Sequence, residues 1–462
     1  MDQTAQATPQ TELDSRTQWK NTILAGLANY IDAGSIVAGA AGLTLWTTMF
    51  HLSSSTVGLI GAISSNAISA GVGALIGGRL CDKLGRKKIY QWDMLFYAFG
   101  LLFIIFASSA GMLIAGYIMA GLAVGADVPA SWTLIAELAP DGARGKHSGV
   151  AQVLWYCGPV VVLLLSLALS PLGVLGTRIV FASLFVVAIG LWFARRSMKE
   201  SKVWTAAEQT VRQRAERALA ERAAATGREV PAEDVEVTSF GHWRELFNRT
   251  NVGAMVFLIG MYGIWNLWAG TNGFFLPFIL RTVGSESQAM SVAIQCVSFA
   301  AGIASIFFVF MRLVDRVDQK MLFGAGALLQ IIGMLLIALF RLTEPIALGY
   351  VLLCGIGGGF GQQSFFQLWS GELFPTLLRS TAQGLMFAVV RIGLGFWSLY
   401  VPTLTKTGFS TLAWILTGFV AFSGLIGFVF APRNEGKTLE QIQRERHGRA
   451  ASPRTAPVAQ TS

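Results

Sequence analysis

A carboxylate interrupts the first long apolar stretch of the chain: Asp32 stands within LANYIDAGSIVAGAAGLTLW, residues 27–46. Placing such a group at the centre of a bilayer costs about 2.5–3.5 kcal/mol on insertion scales, so an acid retained there is a functional residue by default. A carboxyl that meets dry and watery surroundings in turn binds a proton in the first and releases it in the second. Asp127, in GLAVGADVPAS, is a second candidate, and Arg391, in FAVVRIGLGF, could neutralise either acid or face an anionic solute. Uncharged polar residues recur in the same kind of surroundings: Gln152, then Tyr262, Asn266, Thr271 and Asn272 in YGIWNLWAGTNGFF, then Gln362, Gln363, Gln367 and Trp369 in FGQQSFFQLWSGE. Gathered in one dry pocket they would supply the donors and acceptors that a hydroxylated solute needs, with a tryptophan face to stack on a ring. Taken singly, each amide also reads as a hydrogen bond between membrane helices. Asp32 likewise reads as a coupling group, a solute acceptor or a structural acid.

Composition sets the surroundings. The chain has 462 residues, 53% hydrophobic and only 13% charged, where soluble domains carry about 25%. Its mean hydropathy is +0.56, with 51 glycines and 13 tryptophans, as expected of packed membrane helices with aromatic girdles. Apolar runs of about 20 residues, enough to cross about 30 Å of hydrocarbon, predict twelve spans. They fall near 22–48, 56–79, 89–107, 111–135, 147–168, 173–194, 251–280, 288–312, 320–340, 344–371, 378–402 and 409–431. The expected organisation is a tail (1–20), a six-helix bundle (21–194), a polar central loop (195–250), a second bundle (251–431) and a second tail (432–462). No removable signal peptide is expected, because the first twenty residues lack a basic segment followed by a short apolar core.

Lysine and arginine favour cytoplasmic loops. With both termini inside, the short inner segments hold Arg16, Lys20, Arg79, Lys83, Arg86, Lys87, Lys88, Arg144, Lys146, Arg312, Arg316, Lys320 and Arg379, against only Arg178, Arg281, Arg341 and Lys406 outside. The net charge of +9 is then a signature of topology and of anionic lipid neighbours, not of nucleic acid. The alanine- and glutamate-rich segment 204–226 predicts a helix in the central loop. The tails around Pro9, Pro453 and Pro457 are expected to be disordered. Cys81, Cys157, Cys296 and Cys354 have no paired spacing, so neither a disulfide framework nor a zinc site is expected. No nucleotide loop or nucleophile–base arrangement points to an enzyme, and no cofactor or metal is expected.

An internal repeat divides the chain. IAELAPDGARGKHSG carries Glu137, Pro140 and Arg144, and SGELFPTLLRSTAQG carries Glu372, Pro375 and Arg379 at the same spacing, 235 residues on. Asp82 in GGRLCDKLGRKK and Asp315 in MRLVDRVDQK, 233 residues apart, repeat the offset. Two landmarks at nearly one offset argue for duplicated six-helix halves around a central cavity. GRLCDKLGRKK, with Gly78, Leu80, Asp82, Gly85, Arg86 and Lys87, resembles the loop signature of the major facilitator superfamily. The E-x-x-P-x-x-x-R elements and EGKTLEQIQRER resemble its sugar-porter and metabolite-proton symporter branch, and NYIDAGSIVAG with VGADVPAS resembles bacterial inositol-type uptake transporters.

The resemblance implies an all-α membrane protein of twelve helices in two pseudo-symmetric halves, a monomer that imports a sugar or polyol with protons across the bacterial inner membrane. It implies a cytoplasmic gate network of Arg86, Glu137 and Arg144, mirrored by Glu372 and Arg379, to which Asp82 and Asp315 are added; Asp82 stands where it can face a helix N-terminus. It implies a proton site at Asp32 and solute contacts at Gln152, Asn266 and Asn272; Gln363 is a candidate by its polarity alone. The chain departs from the pattern three times: Tyr117 replaces the span-4 arginine that usually partners the acid, Gln367 the sugar-stacking tryptophan, and Gln319 the second arginine of the mirrored loop. Span 5 has only Gly158 and Pro159 of the glycine pattern that marks the antiporter branches. Import of a small organic acid, suggested by Arg391, and a non-transporting sugar sensor are the alternatives.

Overall fold

A computed structural model describes residues 15–63, 67–140, 142–198, 200–226, 241–282 and 287–447, and every regular element there is helical. The stretches around Pro9, Pro453 and Pro457 lie outside the described residues. The first half comprises α1 (Ser15–Met49), α2 (Ser54–Ile63), α3 (Ile68–Leu84), α4 (Arg86–Ile105), α5 (Ala110–Leu138), α6 (Arg144–Ala168) and α7 (Val174–Arg195). α8 (Lys202–Thr226) follows, its described side chains largely exposed. The second half comprises α9 (Arg249–Leu258), α10 (Ile264–Thr282), α11 (Gln288–Ser305), α12 (Gln319–Leu339), α13 (Glu344–Gly359), α14 (Gln362–Glu372), α15 (Arg379–Ser398), α16 (Val401–Thr407) and α17 (Phe409–Phe430); α18 (Leu439–His447) ends the described chain.

Among the described residues, eleven spans are long and apolar enough to cross a membrane. α15 is the twelfth. Its 20 residues reach across, but Arg379, Gln383 and Arg391 hold its hydropathy below that of the others. α2 and α3 form one span, as do α9 and α10 through a π-turn at Ile259–Gly263, and α11 runs through another at Ile306–Phe310. Such turns admit an extra residue and re-aim the side chains beyond them. A break at Phe360–Gly361 separates α13 from α14 and starts a helix in mid-membrane, a device by which carriers line a central site with polar groups. Every residue of α14 is buried.

The halves meet along two related seams, α3 against α15 and α6 against α11, with α1 touching α10 between them. Backbones approach closely where side chains are small. At Gly78 a Cβ would run into the Ser380 carbonyl and lie 3.1 Å from the Gly384 Cα, so α3 and α15 touch backbone to backbone. Their near ends, with those of α5 and α6, carry the lysine- and arginine-rich loops and form what is here termed the basic face.

Candidate functional site

Midway along α1, Asp32 is 3% exposed. Its Oδ2 accepts from Trp155 Nε1 of α6 at 3.3 Å and lies 3.7 Å from an Arg391 nitrogen of α15, so this ion pair joins the two halves. Arg391 also lies over the Phe387 ring, 4.5 Å from its centroid. One turn before Trp155, Gln152 donates to Gln367 Oε1 of α14, a second link between halves. One turn before Gln367, Gln363 accepts from Tyr262 Oη at 2.7 Å. Tyr262 lies in the π-turn, which packs against α15, the helix that carries Arg391. Residues three or four apart share a helix face, so Asp32, Arg391, Tyr262, Gln363, Gln367, Gln152 and Trp155 close a ring. Three side-chain atoms on it, Asp32 Oδ1, Gln152 Oε1 and Gln367 Nε2, are buried with no hydrogen-bond partner among the described residues. Two acceptors and a donor suit hydroxyl groups, which both give and take hydrogen bonds. Aromatic rings wall the ring of polar groups: Phe366 stacks on Tyr262 at 4.0 Å and meets Trp132 edge-on.

On the basic face the loop charges interlock across the seam. Glu137 receives Arg86 of its own half at 2.8 Å and Arg379 of the other at 3.1 Å. Arg144 reaches Glu372 of the second half at 2.9 Å, and Asn434 donates to the same carboxylate at 2.8 Å. The mirrored pairs are therefore exchanged between halves, because each arginine opens a helix, α6 or α15, that leans against the opposite bundle. Asp82 accepts from the backbone N–H groups of Ser380 and Thr381 at 3.3 and 2.6 Å; Asp315 does the same at Gly145 and Lys146, at 3.0 and 3.3 Å. Each acid thus caps the positive end of a helix from the other half. Burial pushes the Asp315 carboxyl above the usual range, offset by those two N–H donors and by Arg144 and Lys146. Gly85 turns the chain at φ 90°, and a Cβ there would strike the Glu200 carboxylate. Glu200 in turn accepts from the backbone N–H of Arg86 and of Lys87 at 3.1 Å each, and Trp204 Nε1 donates to the Asp82 carbonyl at 3.1 Å. The central loop is thereby fastened to the latch.

Other sequence candidates lie elsewhere. Asp127 is paired inside the first half with Arg195, at 3.1 Å. Asn272 accepts from Tyr350 Oη at 2.7 Å beside a separate cavity of about 20 Å³ within the second half. Trp369 is two residues beyond Gln367 and therefore on another side of α14; it packs against Phe257, Phe323 and Phe365 and donates to Gln319 Oε1 at 2.7 Å. Trp369→Ala is expected to lower stability by about 3–5 kcal/mol through the cavity it leaves. A thermal melt in detergent checks this, and the affinity of the protein that remains folded for its solute should change little.

Comparison with known proteins fits this arrangement to a family. Residues 9–445 match the sugar (and other) transporter family. The chain belongs to that family. Over 430 residues it is 46% identical to the minor myo-inositol transporter IolF of Bacillus subtilis, covering 93% of this chain and 94% of that protein. The arabinose-proton symporter of the same organism is 26% identical over 437 residues, 89% of this chain and 90% of that one. The fold is that of the major facilitator superfamily proton:xylose symporter XylE bound to 6-bromo-6-deoxy-D-glucose, with a TM-score of 0.77, 20% identity and coverage of 94% of this chain and 100% of that one. This sugar-transporter family member is therefore a multi-pass membrane transporter and not an enzyme.

Where the transporter departs from the resembled pattern, the structure shows what takes up the space. Tyr117 packs edge-on against Phe181 and borders Gly39 of α1. The counter-charge beside Asp32 comes instead from α15. Gln319 accepts from Trp369 and its backbone N–H is capped by Glu435 at 2.9 Å, so an amide and a carboxylate stand where a second arginine was expected. Sequence reasoning passed over Trp155, which reads as one more packing aromatic. It also passed over Arg195, which reads as a topology charge at the end of a span, and Glu200 and Trp204, where position in a polar loop carries no sign of docking.

Proposed function

We propose that this transporter imports a neutral sugar or polyol of the inositol class together with a proton, by alternating access, across a bacterial plasma membrane. The basic face is cytoplasmic, both termini lie inside, and the working unit is the monomer. The observation that carries the reading is the polar ring around Asp32, built from both halves and offering unmatched donors and acceptors to a hydroxylated solute. The identity to a myo-inositol transporter supports the solute class.

In the proposed cycle the ionised Asp32 holds Arg391 and so holds the halves together at mid-depth. A proton arriving from outside removes that charge, releases Arg391 and leaves a pocket of neutral donors and acceptors for the solute. Once the latch of Glu137, Arg86, Arg379, Arg144 and Glu372 parts, water reaches Asp32 from inside, the proton leaves and Arg391 returns to the carboxylate. Such a ring rejects analogues because a missing hydroxyl leaves a buried protein group unpaired. Counterflow in proteoliposomes preloaded with myo-inositol, hexoses or small organic acids tests the assignment. Exchange with myo-inositol or a hexose is expected. Exchange confined to an acid would move the substrate to an anion held by Arg391, and binding without flux would make the protein a sensor.

A further inference from the structure

Besides Asp32, the first half encloses a second group of charges. Asp93 of α4, Asp127 of α5 and Arg195 at the end of α7 are respectively 6%, 1% and 1% exposed. Arg195 Nη1 lies 3.1 Å from both Asp127 oxygens and 3.8 Å from Asp93 Oδ2. The remaining guanidinium contacts are fixed by α1, whose Leu24 and Ala25 carbonyls accept from Nε at 3.1 Å and Nη2 at 3.3 Å. Ser131 donates to Asp127 Oδ1 at 3.0 Å, the Met94 N–H to Asp93 Oδ1 at 2.6 Å, and the Tyr90 ring lies 4.4 Å from the guanidinium. Cys81 of α3, a further titratable side chain, is buried in the same packing cluster as Tyr90.

Charge and hydrogen-bond accounting disagree if both acids are ionised. Two carboxylates against one guanidinium would leave a net negative charge in a dry helix core, where an uncompensated charge is strongly disfavoured and a proton is taken up instead. The two carboxyls crowd one guanidinium nitrogen, Arg195 Nη1, at 3.1 and 3.8 Å. Yet two ionised carboxylates have no hydrogen to place between them, and Asp93 Oδ2 is buried with no donor. One proton removes both faults: it makes the cluster neutral and turns the carboxyl contact into a hydrogen bond.

We propose that Asp93 and Asp127 share a single proton, clamped by Arg195, as a second proton site on the basic-face side of Asp32. Arg195 grips α1 at Leu24 and Ala25, about two helical turns from Asp32 toward that face. Asp127 stands ten residues, about 15 Å, in from Glu137 along α5. The site therefore lies between the central acid and the latch, where a proton released inward from Asp32, in the cycle proposed above, would pass.

Infrared spectra of the purified full-length protein in lipid nanodiscs, recorded across pH, report buried protonated carboxyls through their C=O stretch. A band present at neutral pH is expected in the wild type and in Asp32→Asn, and its loss is expected in both Asp93→Asn and Asp127→Asn. Survival of the band in Asp32→Asn separates this site from the central one, so failure of either assignment leaves the other standing. If Asp127→Asn does not fold, Asp93→Asn decides alone, since it leaves one carboxylate facing one guanidinium. A wild type with no such band at neutral pH, or a band that persists in Asp93→Asn, overturns the proposal.

Discussion

Asp32→Asn is expected to exchange solute across proteoliposome membranes while failing to concentrate it. In one-proton symport each pH unit of imposed gradient supplies about 1.4 kcal/mol, enough for about tenfold accumulation. An asparagine has the size of the protonated acid and keeps an acceptor near Trp155 Nε1, which lies 3.3 Å from the native carboxylate. It cannot lose a proton, so the carrier is held in its solute-accepting form and shuttles back only when loaded. Gradient-driven accumulation, about tenfold per pH unit in the wild type, should be lost, with counterflow of labelled solute retained. Arg391 sharpens the expectation. In the native ring its nitrogen lies 3.7 Å from Asp32 Oδ2, and in the variant it faces an amide, so the empty carrier loses the cross-half ion pair that closes its return. Accumulation by Asp32→Asn equal to wild type, at the same gradient, would remove Asp32 from coupling. Counterflow between solute-containing compartments at matched pH should leave the two proteins alike.

How far sequence reaches depends on whether a signal is local. The span lengths, the six-and-six division and the 233- to 235-residue echo are local or periodic, and the helices fall where they do because about 20 apolar residues must cross the lipid. The polarity of α15 did not hide it, since a break in polarity is also what marks a span that faces a cavity. Partnership across the chain is another matter. Arg391 is 359 residues from Asp32, and nothing in either stretch says that they meet; only the packing of α3 against α15 brings that face of α15 to α1. The gate network that the resemblance implied did not say which charges meet, and the structure pairs Arg144 with Glu372 and Arg379 with Glu137 across the halves. Trp369 and Gln367 illustrate a finer limit. They are two residues apart in one motif, and helical pitch alone turns one toward the ring and the other into an aromatic core.

Glu137→Gln should leave the protein folded but resting open at the basic face. The Glu137 side chain has no solvent exposure and is the shared anion of two arginines from different halves, at 2.8 and 3.1 Å. Glutamine preserves its shape and one acceptor oxygen but removes the charge. Arg86 keeps Asp82 at 3.5 Å and the Thr376 carbonyl at 3.1 Å, whereas Arg379 is left facing another guanidinium. Breaking a buried pair by removing one partner costs about 3–5 kcal/mol. That cost falls on the closed arrangement, because once the halves part, water solvates both arginines. A shift of about 3 kcal/mol changes the ratio of closed to open forms by about a hundredfold. Spin labels on Lys83 and Arg316, exposed residues on the basic face of the first and second halves, should report a longer distance in the variant, and net uptake should fall with the loss of the outward-facing population. Arg144 and Glu372, which pair independently at 2.9 Å, limit the effect; Glu137→Gln combined with Glu372→Gln should open the face further than either change alone. A label distance unchanged in the double variant would mean that helix packing along α3 and α15, and not the crossed charges, holds the basic face shut.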